Sequence, residues 1–349
     1  MLLKRAKDYA LRAAKSLGVF SLVARSRWRR QRLVILGYHG LSLRDEHKWD
    51  RLFMEPRVFR QRLEILARGG YRVLPLAEAV ERLRTGALPP QSVALTFDDG
   101  FYDFYEVGFP MLRDFGFPAT VYQTTYYCDH RFPIFSLVLN YLFWRGSDVF
   151  RSTLAKARTA EVREVLKFAR HKAYSIPQRN ELAAHIAAEL GVDYCEIRRL
   201  RLLHLMSPAQ LAEVAAAGID VQLHTHRHRA PVNERLFVRE IRDNRDWLAD
   251  RIGARPSHFC YPNGVYHSSF LPWLRAERVV SATTCDLGIA TREHDPLLLP
   301  RLVDAGDISA SDFEGWLSGV SSFLPRRPAW CDWTPVKGYP GWRNGLGVT

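Results

Sequence analysis

Apolar and polar positions along this chain follow two alternating rhythms. Short apolar runs at 33–39 (LVILGYH), 71–76 (YRVLPL), 92–97 (SVALTF) and 118–124 (PATVYQT) read as strands. Between them, 56–70, 76–86 and 104–116 repeat apolar residues at spacings of three and four and end on glycine, as helices do. Strand and helix in turn, with short connections, is the pattern of parallel βαβ units and predicts an α/β sheet or barrel. The rhythm stops near 129, and residues 129–206 read as a mostly helical insertion, clearest at 159–173 and 178–191. It resumes with a helix that Ser207 caps and Pro208 opens, a strand at 219–226, a long helix from about Asn233 to Gly253, and strands at 258–264 and 279–286. Residues 325–349, rich in Pro and Trp, keep neither period and are expected to drape over the domain as ordered coil.

Charge changes this picture at one end. The chain of 349 residues carries a net +13, and residues 1–32 hold ten Lys or Arg against one Asp, which is +9 of it. There Leu3, Ala6, Ala10, Ala13, Leu17 and Phe20 recur at three and four, with Lys4, Arg5, Arg12 and Lys15 off that line, so 1–32 reads as a basic amphipathic helix. Its apolar run, 17–24, is too short to span a bilayer, and arginines follow where a signal peptide needs small residues. Two readings stay open: the helix lies on an anionic, cytoplasmic membrane surface, or it is solvated and packs on its own domain. A nucleic-acid partner is not expected, because the cluster offers only Phe20 and Trp28 for stacking. Five scattered cysteines without a C-x-x-C pair read as small buried apolar residues and fit a reducing compartment. A cytoplasmic location, peripheral on the inner membrane, is the resulting expectation.

Candidate chemistry gathers where strands end. In parallel α/β folds the loops leaving the C-terminal strand ends form the active face. The segment 96–100, TFDDG, puts Asp98 and Asp99 side by side at such an end. Adjacent carboxylates near a low-dielectric core repel and need a compensating cation, either a metal ion or an arginine. A plain turn whose Asp caps the next helix is the alternative. At 222–231, QLHTHRHRAP, His224 and His228 stand four apart at another strand end. Two neutral imidazoles and one carboxylate are a common set for a catalytic divalent ion, because they leave positions open for water and substrate. His39, after the strand 33–38, and the turn at 259–264 (FCYPNG) complete the candidates.

Together these residues resemble the polysaccharide deacetylase family, the NodB-homology domain of carbohydrate esterase family 4. TFDDG matches its first motif and HTHRH its second, H-[ST]-x-x-H. The third motif departs, with Cys260 where the family carries Arg. The family's C-terminal L-x-x-H is absent after 264, yet Leu36-Gly37-Tyr38-His39 has that form ahead of the first motif. This order is similar to the circularly permuted branch that includes the poly-N-acetylglucosamine deacetylases.

The resemblance implies a distorted (β/α) barrel of about seven strands within 33–324. It implies Asp98 as general base, Asp99, His224 and His228 as ligands of one divalent metal (zinc, with cobalt or nickel as alternatives), and His39 as general acid. Arg301 would replace the missing motif Arg as partner of Asp98, and a backbone N–H in the Tyr261, Pro262, Asn263 stretch would stabilise the oxyanion. The implied reaction is hydrolysis of an N-acetyl group on a glycan. An O-acetyl esterase on the same fold, a non-catalytic glycan-binding relative and a membrane scaffold are the rivals.

Overall fold

The structure, a computed structural model, describes residues 2–146 and 155–324. The expectation for 325–349 falls outside them. Ten strands form among the described residues: β1 (Val34–Tyr38), β2 (Gly40–Leu41), β3 (Phe53–Met54), β4 (Arg72–Val73), β5 (Ser92–Phe97), β6 (Thr120–Gln123), β7 (Asp220–Leu223), β8 (His258–Cys260), β9 (Ser281–Leu287) and β10 (Leu299–Val303). β1, β10, β9, β8, β7, β6 and β5 pair in that order, and β1 with β5 closes the ring, from Val34↔Val93 to Tyr38↔Phe97. This is a closed parallel barrel of seven strands ringed by helices, as expected. β4 takes the start of the β5 edge, Arg72↔Ser92, which β6 takes further along, Thr96↔Thr120. β2 and β3 form a separate small pair.

The strands are near-continuous apolar runs because a barrel strand is buried on both faces. Ile35, Ala94, Tyr122, Cys260 and Leu299 cluster on the inner side, and Leu36, Tyr38, Leu95, Phe97 and Val121 pack under the helices. Helix starts follow their capping chemistry. Ser207 and Gln210 form a capping box ahead of Pro208–Ala216, and the Asn233 side chain accepts from the Leu236 N–H to open Glu234–Ile252. β10 is not legible as a strand in the sequence, since Pro300 interrupts its run. The β9–β10 register shifts between Leu299 and Arg301, which is how the ladder passes a residue without an N–H.

The insertion forms helices Phe135–Arg145, Ala155–His171, Ile176–Glu189 and Tyr194–Arg199. It is pinned at both sides. Arg145 and Tyr141 hold Asp45, and Arg44 pairs with Glu196, in the loop after β2. The Tyr102 N–H donates to His204 O and Met206 N–H to Gly100 O in the loop after β5.

The N-terminal segment is three helices, not one: α1 (Leu2–Ser16), α2 (Val19–Arg25) and α3 (Arg27–Arg30), broken at Gly18 with φ +76°. They pack on the domain, against the last helix, Ala310–Ser318. Of the stripe the periodicity singled out, Phe20 faces the domain and Ala10, Ala13 and Leu17 do not. Leu11, Phe20 and Ala24 are buried, while Ala10, Ala13 and Leu17 are exposed. Lys7 and Lys15 reach Asp312 and Glu314 at 2.7 and 2.6 Å, and Ser309 donates to Asp8 at 2.9 Å. Arg29 is fully buried and donates to Leu317 O and Ser92 O. No described helix is long and apolar enough to cross a membrane.

Candidate active site

Asp98 follows β5 directly, and its backbone N–H donates to Tyr38 O, so the loop continues the β1–β5 ladder by one step. The carboxylate is buried and takes two parallel hydrogen bonds from Arg301 of β10: Nη1 to Oδ1 and Nη2 to Oδ2, both 2.7 Å. This bidentate geometry is the strong form of the Arg–carboxylate pair. Arg301 is itself inaccessible, fixed by Nε donating to Thr284 O at 3.0 Å and Nη1 donating to Thr96 Oγ1 at 3.0 Å. Burial alone would push the Asp98 pKa up; the Arg301 charge and its hydrogen bonds overcome that and bring it down to about 2. Arg301 is thus the cation paired with Asp98. Cys260, at the motif's Arg position, lies 3.1 Å from Arg301 Nη2, so the charge enters the same pocket from a different strand.

His39 follows β1. Its Nε2 lies 3.6 Å from Asp98 Oδ2, and its buried Nδ1 has no hydrogen-bond partner among the described residues. Gly37 makes room for this arrangement, since a Cβ there would sit 3.3 Å from the Arg301 guanidinium carbon.

Asp99 turns the other way, into a second cluster. The Nε2 atoms of His224 and His228 lie 3.2 and 3.0 Å from Asp99 Oδ1, yet that oxygen is buried and accepts no hydrogen bond from any described residue. The reason is legible for His224. Its Nδ1 sits 2.9 Å from Cys260 O, and a carbonyl can only accept, so in the neutral ring the proton is on Nδ1 and the Nε2 lone pair faces the carboxylate. Facing acceptors at this distance need either a second proton on the ring, which the Asp99 charge favours, or a metal cation between them. A second-sphere carbonyl that fixes the imidazole tautomer is also the usual support of a histidine ligand. The donor atoms of Asp99, His224 and His228 all lie within 4.8 Å of one another, so these residues fit a divalent ion. Asp98, His224 and Cys260 meet the same distance limit, but both Asp98 oxygens are committed to Arg301 and burial raises the Cys260 thiol well above its ordinary pKa. Burial would likewise push Asp99 up; positive charge on His228 and His224 takes it well below the usual carboxylate range.

Left-handed backbone concentrates here. Asp99, Thr225, His228 and Asn263 have φ of +68, +63, +52 and +59°, and Gly100 has +77°. A Cβ on Gly100 would meet Gln123 Oε1 at 1.9 Å. Such strain persists only where the surroundings over-determine it. Gln123 Nε2 donates to Asp99 O at 3.1 Å and Thr124 O at 2.7 Å. Asn244 accepts from the His224 N–H and donates to Gln123 O and Thr125 Oγ1, each at 3.0 Å. Glu240, one turn earlier on the same helix, binds the Arg227 N–H and both Arg227 and Arg229 side chains. The sequence reading missed all three. Glu240 and Asn244 carried a signal: a polar pair at i, i+4 on the face that also holds Phe237, Ile241 and Leu248. Gln123 carried none.

The turn after β8 is narrower than expected. The Tyr261 N–H is spent on Thr283 O and its hydroxyl on Leu297 O, Pro262 has no N–H, and Gly264 donates back to Tyr261 O. Among the described residues, the Asn263 N–H meets no backbone acceptor outside its own short helical turn.

A family model described as polysaccharide deacetylase matches residues 85–278. Over 102 residues the chain is 34% identical to the poly-beta-1,6-N-acetyl-D-glucosamine N-deacetylase of Escherichia coli (strain K12), a match covering 28% of this chain and 15% of that protein. The chain thus corresponds to a small part of that relative. Among solved structures, the Streptococcus pyogenes deacetylase PplD, in complex with acetate, superposes with a TM-score of 0.56 at 20% identity, over 84% of this chain and 99% of that one. IcaB from Ammonifex degensii does so at 0.53 and 19%, over 82% and 97%. At these identities the two structures show a shared fold.

Proposed function

From the chain's membership of the polysaccharide deacetylase family, we propose that it hydrolyses the N-acetyl group of an amino sugar, in a polysaccharide or a lipid-linked glycan, giving free amine and acetate. The observation that carries this reading is the split of two neighbouring carboxylates: Asp98 locked to Arg301, and Asp99 facing two imidazoles across a gap that fits a cation. A divalent ion held by Asp99, His224 and His228, with zinc the first candidate for this nitrogen and oxygen set, would polarise the acetyl carbonyl and acidify a water. Asp98 stays ionised across physiological pH and takes the proton of the attacking water. Arg301 keeps that carboxylate aimed and prevents it from acting as a second metal ligand. His39, close to Asp98, protonates the departing amine nitrogen. The Asn263 N–H is the backbone donor offered to the oxyanion.

The test is acetate release from N-acetylglucosamine oligomers and, in parallel, from O-acetylated sugars, by wild type and Asp98→Asn, with metal content measured on both. Release from the N-acetyl substrate alone, lost in the variant while the metal stays, supports the proposal. Preference for the O-acetyl sugar makes the chain an esterase, and glycan binding without turnover makes it a binding relative. A cytoplasmic place of action belongs to the same proposal. Its support is that the four described cysteines are free thiols, Cys260 and Cys285 among them although both sulfurs approach Arg301 Nη2. Recovery of the native protein from a periplasmic fraction would overturn it.

A further inference from the structure

Surface helices ordinarily turn their apolar stripe to the body and their charges to water. α1 does the reverse along part of its length, and α2, which buries Phe20 and Ala24, leaves Leu22 outside. The side of α1 that meets the domain is largely its polar edge: Lys7, Asp8 and Lys15 are bound to Asp312, Ser309 and Glu314, with Leu11 laid against Gly315. The apolar stripe is left outside. Tyr9 is 72% exposed, Leu17 81% and Leu22 74%, with exposed Ala10 and Ala13 on the same run. Exposed Arg25, Arg27 and Arg30 accompany it, Arg12 is paired with Asp8 at 2.8 Å, and no acidic residue occurs between Asp8 and Asp45. Lys7 and Lys15 are neutralised by the domain's own acids, so these ion pairs fix which way the stripe points.

We propose that this outward face is an in-plane anchor to an anionic phospholipid surface, its Tyr and Leu side chains entering the headgroup boundary and its arginines contacting lipid phosphates. Charge complementarity selects this occupant: an apolar stripe continued by exposed Arg25, Arg27 and Arg30 suits an anionic bilayer. The direction of the helices adds a consequence. Asp8 meets Ser309, just past the end of β10, and Arg29 meets Ser92 at the start of β5, so α1 begins at the barrel end that carries the candidate site. The anchor stands independently of the deacetylase reading.

The experiment is flotation of the purified full chain with vesicles of phosphatidylcholine alone and of phosphatidylcholine with phosphatidylglycerol in equal parts. Wild type is expected to float with the anionic vesicles only, and less as salt is raised. Leu17→Glu combined with Leu22→Glu is expected to lower the bound fraction on the order of tenfold. Both positions are exposed, so its melting temperature and its acetate release from soluble oligomers stay those of wild type. Failure of the wild type to float, or equal flotation of the variant, overturns the proposal. So does concentration-dependent dimerisation that the variant abolishes while neither protein binds vesicles, which would assign the face to a second copy.

Discussion

Two buried Arg–Asp pairs flank the end of β1, and they have opposite characters. Asp98 is reached through its N–H to Tyr38 O and Asp304 through its N–H to Gly37 O, so the two carboxylates sit on either side of one strand. Asp98 has both oxygens held at 2.7 Å by a guanidinium inside the barrel, and its pKa is brought down to about 2. Asp304 has Arg62 Nε at 2.9 Å and Nη2 at a marginal 3.5 Å, because Nη2 also donates to Ile308 O; its burial outweighs the pairing and pushes the pKa up to about 6. Arg62 belongs to the outer helix Pro56–Arg68 and stacks over Phe313. Burial is therefore not what distinguishes the candidate base; complete, two-point compensation is.

The largest way to break this comparison is to remove the arginines. Arg301→Met leaves Asp98 buried and unpaired, with an expected loss of about 3–5 kcal/mol in urea unfolding and no measurable acetate release. Arg62→Met is expected to cost less, since Asp304 needs only a small further rise in pKa to become neutral at pH 7. Equal losses would mean that the bidentate geometry adds nothing. Next come the carboxylates: Asp98→Asn should lower turnover by about 10²–10⁴-fold with metal retained, whereas Asp304→Asn should leave turnover close to wild type.

The pH dependence of Tm separates the pairs with smaller effects of opposite sign. Asp98 has a folded pKa below the ordinary 3.8, so its contribution is present above that value and lost as pH falls toward about 2. Asp304 has a folded pKa above it, so the folded state binds the extra proton and its stability declines as pH rises from 3.8 through about 6. Asp304→Asn is expected to flatten the second slope and Asp98→Asn the first.

How much of this was legible in the sequence differs by residue. Asp98, Asp99, His224 and His228 were readable because each sits where an apolar run stops, and strand ends share one face of a parallel barrel. Arg301 was reachable only by asking what compensates Asp98, since β10 itself is masked by Pro300. Gln123, Glu240 and Asn244 act through backbone groups that only the folded chain brings near. The N-terminal helices misled for a related reason. Periodicity identifies an apolar stripe, but the ion pairs of Lys7 and Lys15 with acids about three hundred residues away decide which side faces the body.

The smallest expected effect is also the most specific test of the comparison. Gly37 lies on β1 between the two pairs, and a Cβ there would come within 3.3 Å of Arg301 Cζ and Nη1 and 3.5 Å of Val303 Cγ2. Arg301 cannot retreat freely, because Thr284 O and Thr96 Oγ1 hold its other contacts. In Gly37→Ala the guanidinium must shift by a few tenths of an ångström, at an overpacking cost of about 1–3 kcal/mol. That shift lengthens the bonds to Asp98 and makes its compensation resemble that of Asp304. We expect a several-fold fall in kcat with KM little changed, and an acid limb of the pH–rate profile displaced upward as the Asp98 pKa rises. A Gly37→Ala variant that keeps the wild-type acid limb would show that Asp98 is kept ionised by proximity of charge alone, and that the tight fit of Arg301 beside β1 serves packing instead.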